Sequence, residues 1–256
     1  KRINMEPVTG KTREALLIRL EGSFSKLGRH QNKFSWESLS TFDIQRLISE
    51  KGLVEMEEPG RPLVELLHTP TGHNTKRTLV IRCVFDDPWR AADRVVCLER
   101  TEAVLEGALI AAKAGGAHKV VLCLSEGEKE LESCMDSVIS RTGIDCRIIT
   151  VGSRYPQSNS RELELVLREF EKREEYELNE LLILCPSTLV AVYDALCFNK
   201  PILERYIAVG GSAVKHPKIL RVRIGTRIGD VFAECGGFKQ EARRIAFGSP
   251  LSGKTV

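Results

Sequence analysis

The cysteines are the residues of this 256-residue chain most able to do redox or metal chemistry, and their spacing limits both. Cys83, Cys97, Cys123, Cys134, Cys146, Cys185, Cys197 and Cys235 contain no C-x-x-C pair. Neither a zinc ribbon nor a ferredoxin-type cluster can be assembled locally from them, because both draw ligands a few residues apart. Several lie in apolar runs such as Val120-Val121-Leu122-Cys123-Leu124, so reduced, buried thiols of a cytosolic protein are expected. Cys185 is the candidate redox thiol: it stands just before a predicted helix start, where a thiol pKa falls, against the commoner case of a structural cysteine. The histidines (His30, His68, His73, His118, His216) show no metal-ligand spacing, and no metal site is expected. No Ser/His/Asp or Cys/His arrangement can be read from spacing either. Asp86 and Asp87 could pair with a cation, although solvated turn aspartates are more common. Gly248 through Gly253-Lys254-Thr255 spells a phosphate-loop motif without the strand–loop–helix context that gives it meaning, so the match is read as accidental.

Bulk properties narrow the classes further. Hydrophobic residues make up 42% and charged residues 29%, the composition of a soluble globular protein long enough for two or three modules. No apolar run approaches the ~20 residues a bilayer span needs, so no direct membrane insertion is expected and membrane contact would come through a partner. The net charge is +3 with scattered basic residues, and aromatics are 6%, so nucleic acid is not an expected partner. Both ends read as cuts from a longer protein.

The elements that must position any site follow from periodicity. Arg13 to Leu20 reads as a strand and Lys26 to Lys33 as a polar linker. A helix starts at Ser40, capped with Asp43, shows Ile44, Leu47 and Ile48 on its apolar face, and ends at Gly52. Continuous apolar runs at Leu79–Cys83, Lys119–Leu124, Cys146–Val151 and Leu181–Cys185 alternate with helical stretches near residues 101–114, 127–142 and 160–173. Strands apolar on both faces and separated by helices predict a parallel sheet covered on both sides, an α/β domain of Rossmann-like type. A further helix is expected over Ser187–Phe198, with Ser187 as its cap. Beyond Pro201, strands at Ile202–Val209 and Ile219–Ile224 and a short helix at Ile228–Glu234 predict a small β-grasp module.

The last module carries the most specific pattern. Ile207-Ala208-Val209-Gly210-Gly211-Ser212-Ala213-Val214-Lys215-His216-Pro217 followed by Leu220-Arg221-Val222-Arg223-Ile224-Gly225-Thr226 resembles the soluble-ligand-binding β-grasp (SLBB) domain, and Gly236-Gly237-Phe238 and Gly248-Ser249-Pro250 continue it. Ala191-Val192-Tyr193-Asp194-Ala195-Leu196, Lys200-Pro201-Ile202-Leu203-Glu204-Arg205, Val104-Leu105-Glu106-Gly107-Ala108-Leu109 and Tyr155-Pro156-Gln157 resemble the Rnf-complex C subunit and the complex I flavoprotein-subunit superfamily. That group includes the Rnf C-like electron-transfer proteins associated with proline reductase. The resemblance implies a remnant of an N-terminal sandwich domain and linker over residues 1–35, a flavoprotein-type α/β domain over 36–205 and an SLBB domain over 206–256. It further implies FMN taking a hydride from NADH and passing electrons to iron–sulfur clusters, within a complex of protein partners.

Four places depart from the family's pattern. Its glycine-rich G-x-V-G-M-G-G-A-G-F-P-T appears as Gly52-Leu53-Val54-Glu55-Met56-Glu57-Glu58-Pro59-Gly60-Arg61-Pro62-Leu63. Gly60 is kept, while Glu55, Glu57 and Glu58 replace glycines that would let backbone approach phosphate; a solvated acidic face is the expected alternative use. In the acidic turn after the first sheet strand, Arg82 takes the place of an Asn and Phe85 that of an acidic residue, while Asp87-Pro88 and Asp93-Arg94 keep the turn. Gly-Gly-Glu has become Ser158-Asn159-Ser160, with Ser160 better placed as a helix N-cap. Asn-Val-Gly-Thr has become Cys185-Pro186-Ser187-Thr188, which keeps Thr188 alone. The expectation is an electron-transfer or scaffold component of a redox complex, cytoplasmic or peripheral to a membrane complex. No cofactor is expected in this segment, and iron–sulfur clusters are expected only outside it. The alternatives are an active FMN-dependent NADH-oxidising subunit and an SLBB protein that binds a small ligand such as a corrinoid or quinone near Gly210-Gly211-Ser212 and Arg221/Arg223.

Overall fold

The computed structural model describes residues 2–5, 13–16, 35–56, 61–68, 76–87, 90–248 and 253–255. The linker at 26–33 and the residues Glu57, Glu58, Gly60, Pro88, Trp89, His30 and His73 lie outside them. The chain divides into two compact units, a smaller one of residues 1–29, 209–218 and 227–256 and a larger one of 30–208 and 219–226. In the smaller unit, β1 (Arg2–Met5) pairs antiparallel with β2 (Arg13–Leu16).

The larger unit begins with α1 (Thr41–Glu50), whose cap Ser40 accepts the Asp43 amide and whose Ile44, Leu47 and Ile48 are buried, as the sequence predicts. It continues through α2 (Leu63–Leu67), β3 (Arg77–Cys83), α3 (Ala91–Glu99), α4 (Thr101–Gly115), β4 (Ala117–Ser125), α5 (Lys129–Thr142), β5 (Cys146–Val151), α6 (Ser160–Glu174), β6 (Glu180–Leu184) and α7 (Pro186–Phe198). The four strands form a parallel sheet in the order β5-β4-β3-β6. This is the α/β architecture expected from continuous apolar strands alternating with helices.

Every residue of β3 is buried, and its period-two geometry sends side chains to opposite faces. Leu79, Ile81 and Cys83 join a core with residues of α1, α2, α3, α4, α5 and α7, whereas Val80 packs with Leu163 and Leu167 of α6 on the other face. Each fully buried leucine or isoleucine contributes about 1.5–3 kcal/mol relative to exposure. Arg77, at the strand's entry, is buried because its guanidinium donates to the carbonyls of Leu66, Leu67 and Gly115 and pairs with Glu180 at 3.1 Å. The α4–α7 contact is unusually close: a Cβ added at Gly107 would lie 2.1 Å from the carbonyl oxygen of Leu189. Glycine in the Val104-Leu105-Glu106-Gly107 motif is therefore a packing requirement. Gly116, with φ +65°, closes α4 in the left-handed region.

Several expectations need correction. Asn159, and not Ser160, caps α6: its side chain accepts the Arg161 amide at 3.0 Å, while the Ser160 hydroxyl is drawn to Arg82. Cys185, and not Ser187, occupies the cap position of α7, because Pro186 takes the first helical position, where its missing N–H costs nothing. Helix α3 has no counterpart among the expected elements, because Asp87-Pro88 upstream reads as a turn that continues into Asp93-Arg94. Its apolar side, Ala92, Val96 and Cys97, is buried nonetheless.

After α7, strands β7 (Glu204–Val209) and β8 (Lys218–Arg223) pair. The smaller unit resumes with α8 (Ile228–Glu234), whose Phe232 ring lies 4.6 Å from that of Phe238. The turn before β8 is tied to the end of this helix by His216 N–H to Cys235 carbonyl and Lys215 N–H to Gly237 carbonyl bonds. Finally, β9 (Ala246–Phe247) pairs antiparallel with β10 (Lys254–Thr255). Lys254 and Thr255 thus sit in a strand, which agrees with the phosphate-loop letters being accidental.

Candidate functional site

In open α/β sheets ligands bind outside the carboxyl ends of the strands, and there a series of hydrogen bonds connects the positions marked by the sequence. Arg82, next to last on β3, is 5% exposed. Its guanidinium donates to the Ser158 carbonyl at 3.1 Å and to the Ser160 hydroxyl at 3.3 Å. The Ser158 amide in turn donates to the Asp86 carboxylate at 2.9 Å. The loop that follows β3 is thereby joined to the turn that precedes α6. The Phe85 amide donates to the Ser125 hydroxyl at 3.1 Å, and its ring packs against the core.

The opening of α7 is joined to α3 and to the loop after α1. The Ser187 hydroxyl and amide both donate to the Asp93 carboxylate. A helix N-terminus attracts an anion, and here the chain supplies its own carboxylate. Loss of hydration raises the Asp93 pKa above its ordinary 3.8, and the bonds from Ser187 and the charges of Arg82 and Arg90 only partly oppose this. Asp93 still keeps some accessible surface.

Thr188 is fully buried and uses its hydroxyl twice: it accepts the Met56 amide at 3.0 Å and contacts the Cys185 sulfur at 3.1 Å. The two described flanks of the loop after α1 pair with each other. Val54 bridges Pro62, the Glu55 amide donates to the Arg61 carbonyl at 3.1 Å, and the Arg205 guanidinium donates to the Met56 carbonyl. Glu55 is 5% exposed, so its carboxylate belongs to no solvated face, and that expectation is corrected. Asp87, also read as a solvated turn residue, is likewise 5% exposed, and its carbonyl accepts the Arg90 amide that leads into α3.

The structure therefore joins Arg82 with Asp86, Ser158 and Ser160, Ser187 with Asp93, and Thr188 with Met56 (beside Glu55) and Cys185, with Asp93 the one member that its sequence context places only in a turn. Cys185 is completely buried. A cavity bordered by Met56, Ser187, Arg205 and the Arg100–Asp194 ion pair has a volume of about 40 Å³. That is room for roughly one water molecule. Among the described residues no group of three or more His, Cys, Asp or Glu side chains could hold a metal ion. None of their helices is long and apolar enough to cross a membrane.

Fold and site together define a Rossmann-like α/β domain with polar side chains hydrogen-bonded beyond the carboxyl ends of its strands. Residues 48–193 match the Nuo51 FMN-binding domain family, and the chain belongs to that family. Residues 206–253 match the SLBB domain. The chain is 25% identical over 243 residues to the C subunit of the ion-translocating oxidoreductase complex of Rhodobacter capsulatus, covering 94% of this chain and 46% of that protein. It is also 25% identical to the C subunit of the proton-translocating ferredoxin:NAD(+) oxidoreductase complex of Clostridium ljungdahlii, covering 94% and 52%. It spans about half the length of these curated relatives. An NAD+-reducing [NiFe]-hydrogenase in the H2-reduced state shares the fold, with a TM-score of 0.64, 20% identity, and coverage of 81% of this chain and 40% of that one. The resemblance to the Rnf C subunit and the flavoprotein superfamily, drawn from motifs, is borne out by these matches.

Proposed function

We propose that this chain is a C-subunit-like electron-transfer or scaffold component of a redox complex, and that its α/β domain has lost the FMN and NADH site while keeping the fold. The observation that supports this reading is internal saturation of the crevice. The Met56 amide is engaged by Thr188, the Ser187 amide by Asp93, and the Arg82 guanidinium by Ser158 and Ser160. These are the donor types a flavin phosphate would need. On this reading the residues present do not fit FMN: buried Glu55 and the partly accessible Asp93 add carboxyl groups where an anionic group would bind, which like charge opposes.

Names of the relatives place them in multi-subunit oxidoreductase complexes, and protein partners of that kind are the partners proposed here. The domain division proposed is a sandwich remnant to residue 35, the flavoprotein-type domain to 205, and the SLBB domain beyond, serving as a docking module. A cytoplasmic location, peripheral to a membrane complex, belongs to the same proposal. So does the placement of any iron–sulfur cluster outside this segment.

The competing reading is an active FMN-dependent NADH-oxidising subunit, favoured by membership of an FMN-binding family. The visible absorbance of purified protein, before and after FMN and NADH, separates the two. A featureless spectrum unchanged by added FMN is expected. A bound flavin band bleached by NADH would establish the competing reading instead.

A further inference from the structure

We propose that Cys83 and Cys97 form a two-electron thiol–disulfide couple inside the α/β unit. Cys83 is the last residue of β3 and Cys97 lies in the second half of α3, which packs back onto that strand. Their sulfurs are 3.5 Å apart, and neither side chain is exposed. A disulfide needs a sulfur separation of about 2.05 Å, so closure requires an approach of only about 1.5 Å between side chains already in contact. Other cysteines have partners of a different kind. Cys134 meets the Thr101 hydroxyl at 3.1 Å, Cys185 meets the Thr188 hydroxyl at 3.1 Å, and Cys197 faces the Glu106 carboxylate at 3.7 Å. The sulfur–sulfur contact is thus a specific pairing, distinct from general cysteine richness.

The couple stands beside the crevice and is electrostatically tied to it. Asp93, one helical turn before Cys97 on the same face of α3, carries the carboxylate that receives Ser187. Charges on Cys83, Asp93 and Cys185 all act on Cys97. Burial, above all, and then the bond to Cys83 push the Cys97 thiol well up, so a thiolate is scarce and reaction is slow in the closed state. Oxidation accordingly depends on local opening of α3.

The oxidant that suits a buried pair is small and uncharged, a hydroperoxide such as hydrogen peroxide. In the first step the Cys97 sulfur attacks one peroxide oxygen and the O–O bond breaks. The departing hydroxide takes the former S–H proton and leaves as water, with a sulfenic acid on Cys97. In the second step the Cys83 sulfur attacks that sulfur and the S–O bond breaks. The hydroxyl leaves with the Cys83 proton as a second water, and the S–S bond forms. Two thiols have lost two electrons and the peroxide has gained them; a small dithiol reverses the change. The oxidised state locks α3, and with it Asp93, onto β3. This couple is independent of whether flavin binds, and flavin content does not enter its test.

The test uses the unmodified chain. Purified protein is treated with hydrogen peroxide, alkylated under denaturing conditions, digested without reduction and mapped by mass spectrometry. The expected result is a Cys83–Cys97 linked peptide, lost again after dithiothreitol. Its formation should accelerate in urea concentrations below the global unfolding transition, and Cys97→Ala should abolish it. A second readout needs no variant: the thermal midpoint should rise on oxidation and return on reduction. Full alkylation of Cys83 and Cys97 after peroxide would overturn the proposal. So would cross-links spread evenly over Cys123, Cys146 and the other thiols, or links that appear only once the chain has unfolded.

Discussion

The guanidinium of Arg82 donates to the carbonyl of Ser158 at 3.1 Å, so an arginine on the sheet spans the crevice and ends on the turn before α6. The same side chain reaches the Ser160 hydroxyl and lends its charge to Asp93. Arg82 is thus a cationic strut between the end of β3 and the turn before α6.

Replacement of Arg82 by methionine keeps much of the apolar stem and removes the strut. The Ser158 carbonyl loses a charged donor and Asp93 loses a compensating charge. A loss of about 3 kcal/mol is expected, since charge-assisted bonds contribute roughly 1.5–3 kcal/mol and orphaned buried partners add to the cost. Urea unfolding of wild type and Arg82→Met measures it. A change within 0.5 kcal/mol or so, the range of ordinary surface substitutions, would show that water replaces the guanidinium without penalty.

Thr188 joins the loop after α1 to α7, and it is fully buried. Thr188→Val preserves shape while leaving the Met56 amide without its acceptor, which should cost about 1–3 kcal/mol. Hydrogen exchange should localise the effect to the loop around Met56, with faster exchange of that amide in the variant. Unchanged protection at Met56 would mean that the bond does not hold the loop.

Asp93 sets a pH dependence whose sign is fixed by the direction of its shift. Loss of hydration raises the pKa of the folded state above the ordinary 3.8, so the folded chain holds that proton more tightly than the unfolded chain. The stability it contributes is present below the unfolded value and is lost as pH rises through the folded one. Asp93→Asn removes this titration. The difference in unfolding free energy, variant minus wild type, should therefore increase as pH is raised from about 4 and level off once Asp93 is ionised in both states. Chemical denaturation at a series of pH values tests this, and a difference that falls with rising pH would reverse the assignment.

Gly107 and Gly229 offer a paired test of packing. A Cβ at Gly107 would meet Leu189 backbone at 2.1 Å, whereas one at Gly229 in α8 meets nothing within 4 Å. Gly107→Ala must push α4 from α7 and should cost about 3 kcal/mol or prevent folding. Gly229→Ala should stabilise its helix by about 0.4–1 kcal/mol, because alanine has less backbone freedom to lose. Thermal unfolding of the two variants should shift in opposite directions.

The α/β pattern was legible in the chain itself because buried parallel strands are continuous apolar runs, and Leu79–Cys83 or Lys119–Leu124 can be little else. The cap at Ser40, the β-grasp motif and the family resemblance were legible for the same reason: each depends on residues close in sequence. What tertiary structure decided was the fate of polar groups. Glu55 and Asp87 read as solvated and are buried, Ser160 yields its cap position to Asn159, and Asp93 becomes the internal anion at α7. The two residues of each pair stand far apart in sequence: Arg82 and Ser158 by 76 residues, Asp93 and Ser187 by 94. Apolar burial follows local periodicity, but the partner that makes burial of a charge tolerable is supplied by another part of the chain, so only the folded sheet can bring it into place.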